Sequence, residues 1–281
     1  MEQKEIAAWR AAPYDAIPER LLRGARASGR KVAAIGGGTG LSTLLLGLKE
    51  YTENITAIVT VTDDGGSSGK LRREFGMLPP GDIRNCILAL ANTNTMMTQL
   101  LNYRFPSGSL AGQSFGNLFL LALNNICGSF EEAVADMNQI LAVTGQVLPV
   151  CTQNAALEAI FADGSRVVGE TAITSAKKDK NLDIRSIHLL PEDTRALPQA
   201  LQAIREAELI VLGPGSLYTS IIPNLLVGGV AEALRQSPAL KLYVLNVMTQ
   251  DGETEHYSAA DHARAILKHN GCIDVCLYNT Q

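Results

Sequence analysis

Two glycine-rich segments contain the residues best suited to hold a phosphate group. The first, G36-G-G-T-G-L, lies between the apolar run Val32–Ile35 and an apolar stretch that begins at Leu41. A strand, a tight glycine turn and a helix in that order direct free backbone N–H groups and the positive end of the helix dipole at an anion. Glycine lets the backbone approach the anion closely. The candidate contacts in this turn are Gly37, Gly38, Thr39 and Gly40.

A later segment repeats the pattern. The apolar run Leu209–Leu212 leads into G213-P-G-S, and a helical stretch follows. Because the carboxyl ends of parallel strands meet at one edge of a sheet, this turn predicts a second anion site beside the first. Two such turns favour a diphosphate, or a nucleotide that carries a second phosphorylated group. Here the candidate contacts are Gly213, Gly215, Ser216 and Asn246, the last of which follows a further predicted strand.

Two adjacent acidic residues follow the predicted second strand, in T60-V-T-D-D-G-G-S-S-G. A dinucleotide-binding protein places a single acid here to hold a ribose, whereas two acids suit a hard cation such as Mg²⁺ that bridges to phosphate oxygens. The alternative is a polar turn that caps a helix, for which Asp and Ser are both suited. The first interpretation assigns Asp63 and Asp64 to a metal, and Gly65, Gly66 and Ser67 to the ligand.

Three more polar residues lie at predicted helix starts. In P79-P-G-D-I-R-N, Asp82 is a natural N-cap, and Arg84 and Asn85 follow in the first turn. A cation there opposes the helix dipole, so Arg84 should have a partner: a ligand phosphate, one of the paired acids, or simply Asp82. Asn117, in F115-G-N-L, either caps an apolar helix or contacts the ligand.

Neither glycine segment matches a common nucleotide fingerprint. Leu41 stands where G-x-G-x-x-G needs its third glycine, and Gly65 to Lys70 is one residue short of a phosphate loop. The sequence shows no G-x-S-x-G elbow, no H-E-x-x-H pair and no evident nucleophile or general base. These observations favour binding over catalysis. An NAD-binding protein and a metal-dependent transferase of a phosphoryl-linked group are the alternatives.

Composition excludes several classes of function. The chain has 281 residues, is 46% hydrophobic and carries a net charge of −4, which disfavours nucleic acid as a partner. The sequence has no run of 18 apolar residues, so it predicts no membrane span. It has no apolar region near Met1, so it predicts no secretory signal. The five cysteines are scattered rather than arranged as a disulfide framework, so reduced thiols in the cytoplasm are expected.

Apolar runs alternate with helical patterns from residue 31 onward, which indicates a mainly parallel sheet covered on both faces. A small β-hairpin insert, with its turn at Asp163-Gly164, is predicted at about 150–190, and residues 1–30 form a separate N-terminal extension. The predicted strands are Val32–Ile35, Ile55–Val61, Leu209–Leu212, Leu242–Val247 and Ile273–Tyr278. The predicted helices lie near 41–50, 82–93, 115–126, 130–143, 197–206, 218–235 and 259–269.

Together these motifs, with G213-P-G-S-L-Y-T-S-I and A259-A-D-H, resemble the CofD-like family over residues 31–281. The closer resemblance is to its gluconeogenesis-factor, or YvcK-type, branch. It implies a three-layer α/β/α Rossmann-like fold, and relatives are expected to continue beyond the position of Gln281. The founding members are 2-phospho-L-lactate transferases.

For the gluconeogenesis-factor branch the resemblance implies a UDP-sugar ligand such as UDP-N-acetylglucosamine, or another nucleotide diphosphate. It also implies regulation of cell shape and wall synthesis during growth on gluconeogenic carbon. We therefore expect a cytoplasmic binding protein that is not catalytic. Its expected partners are a second copy of itself, as a homo-oligomer, and proteins of cell-wall synthesis.

Overall fold

The structure, a computed structural model, describes residues 26–180 and 182–279 of the chain. Within these residues six strands form one parallel sheet in the order β3-β2-β1-β7-β8-β9, and three form an antiparallel sheet in the order β5-β4-β6. The α/β fold with a mainly parallel sheet and a small β insert is confirmed. The strands are β1 Val32–Gly36, β2 Ile55–Val59, β3 Gln146–Pro149, β4 Ala156–Phe161, β5 Arg166–Val168, β6 Ile184–Leu190, β7 Leu209–Leu212, β8 Leu240–Val244 and β9 Val275–Leu277.

Helices cover the parallel sheet at each region where the apolar pattern predicts one. The long helix predicted at 218–235 is divided, because Gly229 has a left-handed φ of +99° and begins a new helix. The helices are α1 Gly38–Leu48, α2 Gly66–Phe75, α3 Gly81–Leu90, α4 Thr95–Asn102, α5 Phe115–Cys127, α6 Phe130–Ile140, α7 Glu170–Lys180, α8 Pro198–Glu206, α9 Ile222–Leu226, α10 Val230–Gln236 and α11 Ala259–Lys268, with a π-helix at Leu217–Ile221.

Three of these helices are absent from the sequence-based prediction. α2 is a polar segment, GSSGKLRREF, in which the apolar period that predicts a helix is missing. α4 is short and leaves Met96 and Leu100 exposed. α7 begins where the hairpin pattern predicts a continuing strand: β5 ends at Val168, and Gly169 turns the chain with a left-handed φ of +101°.

β1 is the central strand, and all five of its residues are buried. It pairs in parallel with β2 through Val32↔Ile55 and with β7 through Val32↔Leu209. The chain proceeds outward from β1 to β3 and then returns to β7 on the other side of β1, so the strand order reverses between these two neighbours. In open parallel sheets ligands bind at this point, beyond the carboxyl ends of the strands. Both glycine turns follow the two strands concerned.

The antiparallel sheet is the predicted insert. Its β4–β5 hairpin turns at Asp163-Gly164 as expected, where the Ser165 N–H donates to Oδ1 of Asp163. β6, at Ile184–Leu190, adds the third strand alongside β4. Most of the proposed N-terminal extension lies outside the described residues. Among those described, no single helix is long and apolar enough to cross a membrane; the bent pair α5 and α6 passes that test by length and composition when taken together.

Candidate functional site

The two glycine turns pack directly against each other at the carboxyl ends of β1 and β7. A Cβ atom added to Gly40 would lie 2.6 Å from the carbonyl oxygen of Pro214. A Cβ on Gly215 would lie 3.2 Å from the carbonyl oxygen of Gly37. Gly40 and Gly215 are therefore required because the two turns touch there. The sequence pattern predicts instead that these glycines make room for a phosphate.

Gly38 differs from its neighbours because it faces open space. Its φ is +69°, and an added Cβ would meet only the Ser220 hydroxyl, at 3.9 Å. The N–H groups of the first turn of α1 have no intrahelical acceptor. One of them, that of Gly38, donates to the carboxylate of Asp82, which also lies 2.7 Å from the Cβ position of Gly37. The start of α1 is thus an anion-binding position, and Thr39 is exposed beside it.

α2 begins at the same edge of the sheet as α1, after the neighbouring strand β2, and presents a second left-handed glycine to open space. Gly66 has a φ of +46°, and an added Cβ would meet no atom within 4 Å. The N–H of Gly65 donates to Oδ1 of Asp63 at 2.9 Å. Ser67 points inward instead: its hydroxyl donates to Gln113 at 2.6 Å and accepts from the Asn117 amide at 3.0 Å. The structure therefore brings Gly38, Thr39, Gly65 and Gly66 to one surface and buries Ser67.

Asp64 lies against the insert. Its Oδ1 accepts hydrogen bonds from the N–H of Thr171 at 2.9 Å and from the Thr171 hydroxyl at 2.7 Å. Asp63 and Asp64 thus each have a protein donor. Neither caps α2, whose N-cap is Gly65 and has no side-chain hydrogen bond; Asp63 instead closes the turn before that helix. No group of three or more His, Cys, Asp or Glu among the described residues is placed to hold a metal ion. Mg²⁺ bound by two carboxylates and ligand phosphates stays a prediction.

Two further carboxyl groups join the paired acids, and the sequence did not indicate either as part of an acidic site. Burial, reinforced by the charge of Asp63, raises the pKa of Asp82 to about 6. Burial together with four neighbouring carboxylates, those of Asp63, Asp82, Glu253 and Asp64, raises the pKa of Glu170 to about 9. At neutral pH Glu170 is therefore protonated, which lowers the negative charge facing the two helix starts.

Arg84 does not point toward the acids. It is 7% exposed, and its guanidinium donates to the Leu101 carbonyl and to side-chain oxygens of three other residues, Asn85, Asn102 and Ser114. A cation is favourable there because the last carbonyls of α4 form the negative end of a helix dipole. The partner expected for Arg84 is thus neither Asp82 nor one of the paired acids but a set of neutral oxygens, and a phosphate contact stays a prediction.

Asn117 and Asn85 also make protein contacts. Asn117 is 2% exposed and does not cap α5, whose N-cap is Ser114; its Oδ1 is buried with no hydrogen-bond partner among the described residues. Asn85 accepts from Arg84 and lines a cleft of about 230 Å³ between α1, α3 and α4.

The polar groups of the second glycine turn already have partners within the protein. The Gly213 N–H donates to the Ile35 carbonyl, and the Gly215 N–H donates to Oδ1 of Asn246, whose amide donates back to the Gly215 carbonyl. The Ser216 hydroxyl donates to Gln250 at 2.7 Å. Asn246 therefore fixes the turn, and the predicted anion site there has fewer free donors than the first.

A buried carboxyl group, that of Glu253, faces the helix start after this second turn. Neither of its oxygens makes a hydrogen bond of good geometry, and burial raises its pKa to about 7. The Thr219 side chain and the N–H groups of residues 217–219 act in the opposite direction and favour the ionised form. No feature of the sequence singles out Glu253, because a single glutamate in a loop resembles any solvated residue.

Another cleft lies at the opposite end of the sheet. It measures about 470 Å³ and is formed by the amino ends of β1 to β3 and by α8, with Lys31, Gln146, Gln202 and Glu206 among its lining residues. Its lysine and two of its glutamines donate hydrogen bonds to neighbouring protein oxygens. We favour the carboxyl edge as the candidate site, since free helix starts, open glycines and buried acids meet there.

Comparison with known proteins identifies the family of this chain. The family model described as 2-phospho-L-lactate transferase CofD matches residues 32–281. The chain belongs to the CofD family. A protein of Bacillus subtilis named gluconeogenesis factor is 50% identical over 254 residues, which cover 89% of this chain and 79% of that protein. A relative from Clostridium acetobutylicum is 56% identical over 253 residues, and there the match covers 56% of the relative's length.

A crystal structure of a protein from Bacillus halodurans has the same fold. It superposes with a TM-score of 0.87 at 47% identity, over 90% of this chain and 81% of the other. That protein, a member of the UPF0052 family, therefore shares the architecture described above. The chain spans little more than half the length of some relatives. The activity of those full-length relatives is therefore only proposed for this chain, in the next section.

Proposed function

We propose that this CofD-family chain binds a nucleotide diphosphate sugar, with UDP-N-acetylglucosamine as the first candidate, and acts as a regulator. One observation carries the proposal: the first turns of α1 and α2 both contact the start of α3, through Gly38 with Asp82 and through Ser68 with Gly81, and Gly38 and Gly66 face open space. Two helix starts at one edge of the sheet provide free N–H groups and two positive dipole ends for two phosphates. The choice of a UDP-sugar comes from the resemblance to gluconeogenesis factors.

The diphosphate would lie across the two helix starts. The N–H groups around Thr39 and Gly66 would donate to it, and the Thr39 hydroxyl, which is exposed, would add a further donor. If a divalent cation accompanies the ligand, Asp63 and Asp64 would hold it together with phosphate oxygens, and the ion would neutralise charge between protein and ligand. The acids would otherwise repel a diphosphate.

A metal-dependent transferase is the second candidate, and Asp82 is the observation that favours it. A carboxyl group with a pKa of about 6, hydrogen-bonded at the start of α1, is suited to act as a general base near neutral pH. The family description itself names a transferase. Transfer of the sugar-phosphate group to an acceptor breaks the bond between the two phosphates and leaves UMP. Release of UMP during incubation with UDP-sugars and Mg²⁺ would therefore support this candidate, whereas binding without turnover supports the regulator.

Ligand-dependent melting tests the proposal. A ligand that binds only the folded state stabilises it by about 2.7 kcal/mol at a hundredfold excess over Kd. At roughly 2–4 °C per kcal/mol for a chain of this size, saturating UDP-N-acetylglucosamine should raise Tm by about 5–10 °C. NAD should have little effect. A larger shift with NAD than with any UDP-sugar would contradict the proposal and restore the dinucleotide interpretation.

In the proposed regulatory role, the protein controls cell shape during growth on gluconeogenic carbon. It would do so by contacting cytoplasmic proteins of wall synthesis, and it would also associate with itself. The name shared by the relatives, gluconeogenesis factor, supports the link to gluconeogenic growth, and the roles in cell shape and wall synthesis come from the resemblance. Expression of this chain in a Bacillus subtilis strain that lacks its gluconeogenesis factor tests the role. Restored cell shape on gluconeogenic carbon is the expected result. Failure to restore shape by a chain that binds the nucleotide would remove the physiological part of the proposal and leave the binding part.

A further inference from the structure

Helix α7 belongs to the insert, but its first turn is attached to the loop that follows β2. Asp64 accepts both the N–H and the hydroxyl of Thr171, 107 residues away in the chain. The carboxylate thus occupies the place of a helix N-cap that α7 does not supply from its own segment. Gly169 permits this approach, because a Cβ there would lie 2.6 Å from the second oxygen of Asp64.

The C-terminal end of α7 is attached to another loop, the one that follows β8. Lys178 forms an ion pair with Asp251 at 2.8 Å. Lys177, which is buried, lies 3.7 Å from the Glu255 carboxylate. Gly252 packs on the Lys178 side chain so closely that a Cβ would lie 2.8 Å from it. The same loop is joined to the second glycine turn through the hydrogen bond between Ser216 and Gln250.

These attachments place α7 across the edge of the sheet that carries the candidate site. The strands β1 and β7, which end in the two glycine turns, lie between β2 and β8. Three strand spacings amount to about 14 Å. The seven steps along the helix from Thr171 to Lys178 rise by about 10 Å, and the side chains at both ends supply the remainder. The length of α7 therefore matches the distance between the two loops.

We propose that α7 is a strap over the nucleotide site and that the contact between Asp64 and Thr171 is the latch that opens to let the ligand pass. This inference rests on the proposed function. The latch is suited to open because Thr171 is exposed and because the Lys178–Asp251 pair is also at the surface, where ion pairs are weak. Opening must also displace Ile173, whose side chain is fully buried in the core, so the open state is a minor one reached by local unfolding.

Hydrogen exchange without ligand tests the latch. Thr171→Val removes the hydroxyl and keeps the side-chain shape, so amide exchange across α7 should rise about tenfold. Thr171→Ser should restore the slow exchange. Thr174→Val is the matched control, since its hydroxyl donates to the Glu170 carbonyl within α7 and not to the acid loop. Equal exchange in the Thr171→Val and Thr174→Val proteins would overturn the proposal.

Binding kinetics with UDP-N-acetylglucosamine test the strap. A looser latch should raise the association and dissociation rates together, by about tenfold in Thr171→Val, with little change in Kd, because a strap that opens more often speeds both directions. Loss of an ordinary contact would raise the dissociation rate alone. Unchanged rates in a protein with faster α7 exchange would overturn the strap. Absence of nucleotide binding by the unmodified protein would instead remove the proposed function, and the exchange experiment would still decide the latch.

Discussion

Replacing Glu170 by Gln should stabilise the protein at neutral pH and have little effect in acid. Glu170 lies among the carboxylates of the site, and burial and those charges raise its pKa from 4.5 to about 9. Between these values the unfolded chain has lost the proton that the folded protein retains. Because the folded state binds more protons in this range, the free energy of unfolding falls as pH rises toward 9.

The size of the effect follows from the two pKa values. Each pH unit between them costs about 1.4 kcal/mol. At pH 7 the loss due to Glu170 is therefore about 3 kcal/mol. Gln has the shape of a protonated carboxyl and does not titrate, so Glu170→Gln removes this loss. From about pH 5.5 to about pH 7.5 its stability advantage over the unmodified protein should grow by about 3 kcal/mol, or roughly 6–12 °C in Tm.

Urea unfolding of both proteins at several pH values measures this advantage, and the difference between them cancels the contributions of other titrating groups. Glu132→Gln is the matched control, because Glu132 is an exposed glutamate in the first turn of α6. An advantage of Glu170→Gln that stays constant from pH 5.5 to pH 7.5 would refute the reasoning. The conclusion would then be that Glu170 is ionised in the folded protein, with its charge compensated.

Three other predictions concern the site and its support. Gly38→Ala should abolish the nucleotide-dependent rise in Tm and should lower the free energy of unfolding by about 1–2 kcal/mol, because the backbone there is left-handed. Gly164→Ala, in the remote hairpin turn with a φ of +82°, should lower the free energy of unfolding equally and keep the rise. Arg84→Ala should lower the free energy of unfolding by about 2–4 kcal/mol in urea titrations, because four oxygens lose their donor; a loss of ligand response at unchanged stability would show instead that the guanidinium contacts the ligand. Asp64→Asn should remove any dependence of nucleotide affinity on Mg²⁺ in calorimetry, and equal affinity in chelator and in Mg²⁺ for the unmodified protein would exclude a metal at the paired acids.

Local pattern determines the sheet and most of its helices. The apolar runs at β1 and β7 have no polar face to expose, so they specify buried parallel strands wherever the chain places them. The glycines that follow each run specify tight turns, because only glycine tolerates their left-handed angles and close contacts. The hairpin turn at Asp163-Gly164 is specified in the same way.

Tertiary structure alone decides which polar groups remain free. The motif around Arg84 is the same whether the guanidinium meets a phosphate or the last carbonyls of α4, and packing selected the carbonyls. The sequence pattern predicts that the Gly215 N–H is free to bind a ligand, but in the folded protein it donates to Asn246. α7 lacks a strong apolar period, and its start depends on Asp64, which is distant in the chain. Burial and charge proximity are set by residues that meet only after folding, so the protonation of Glu170 could not be predicted from its neighbours in sequence.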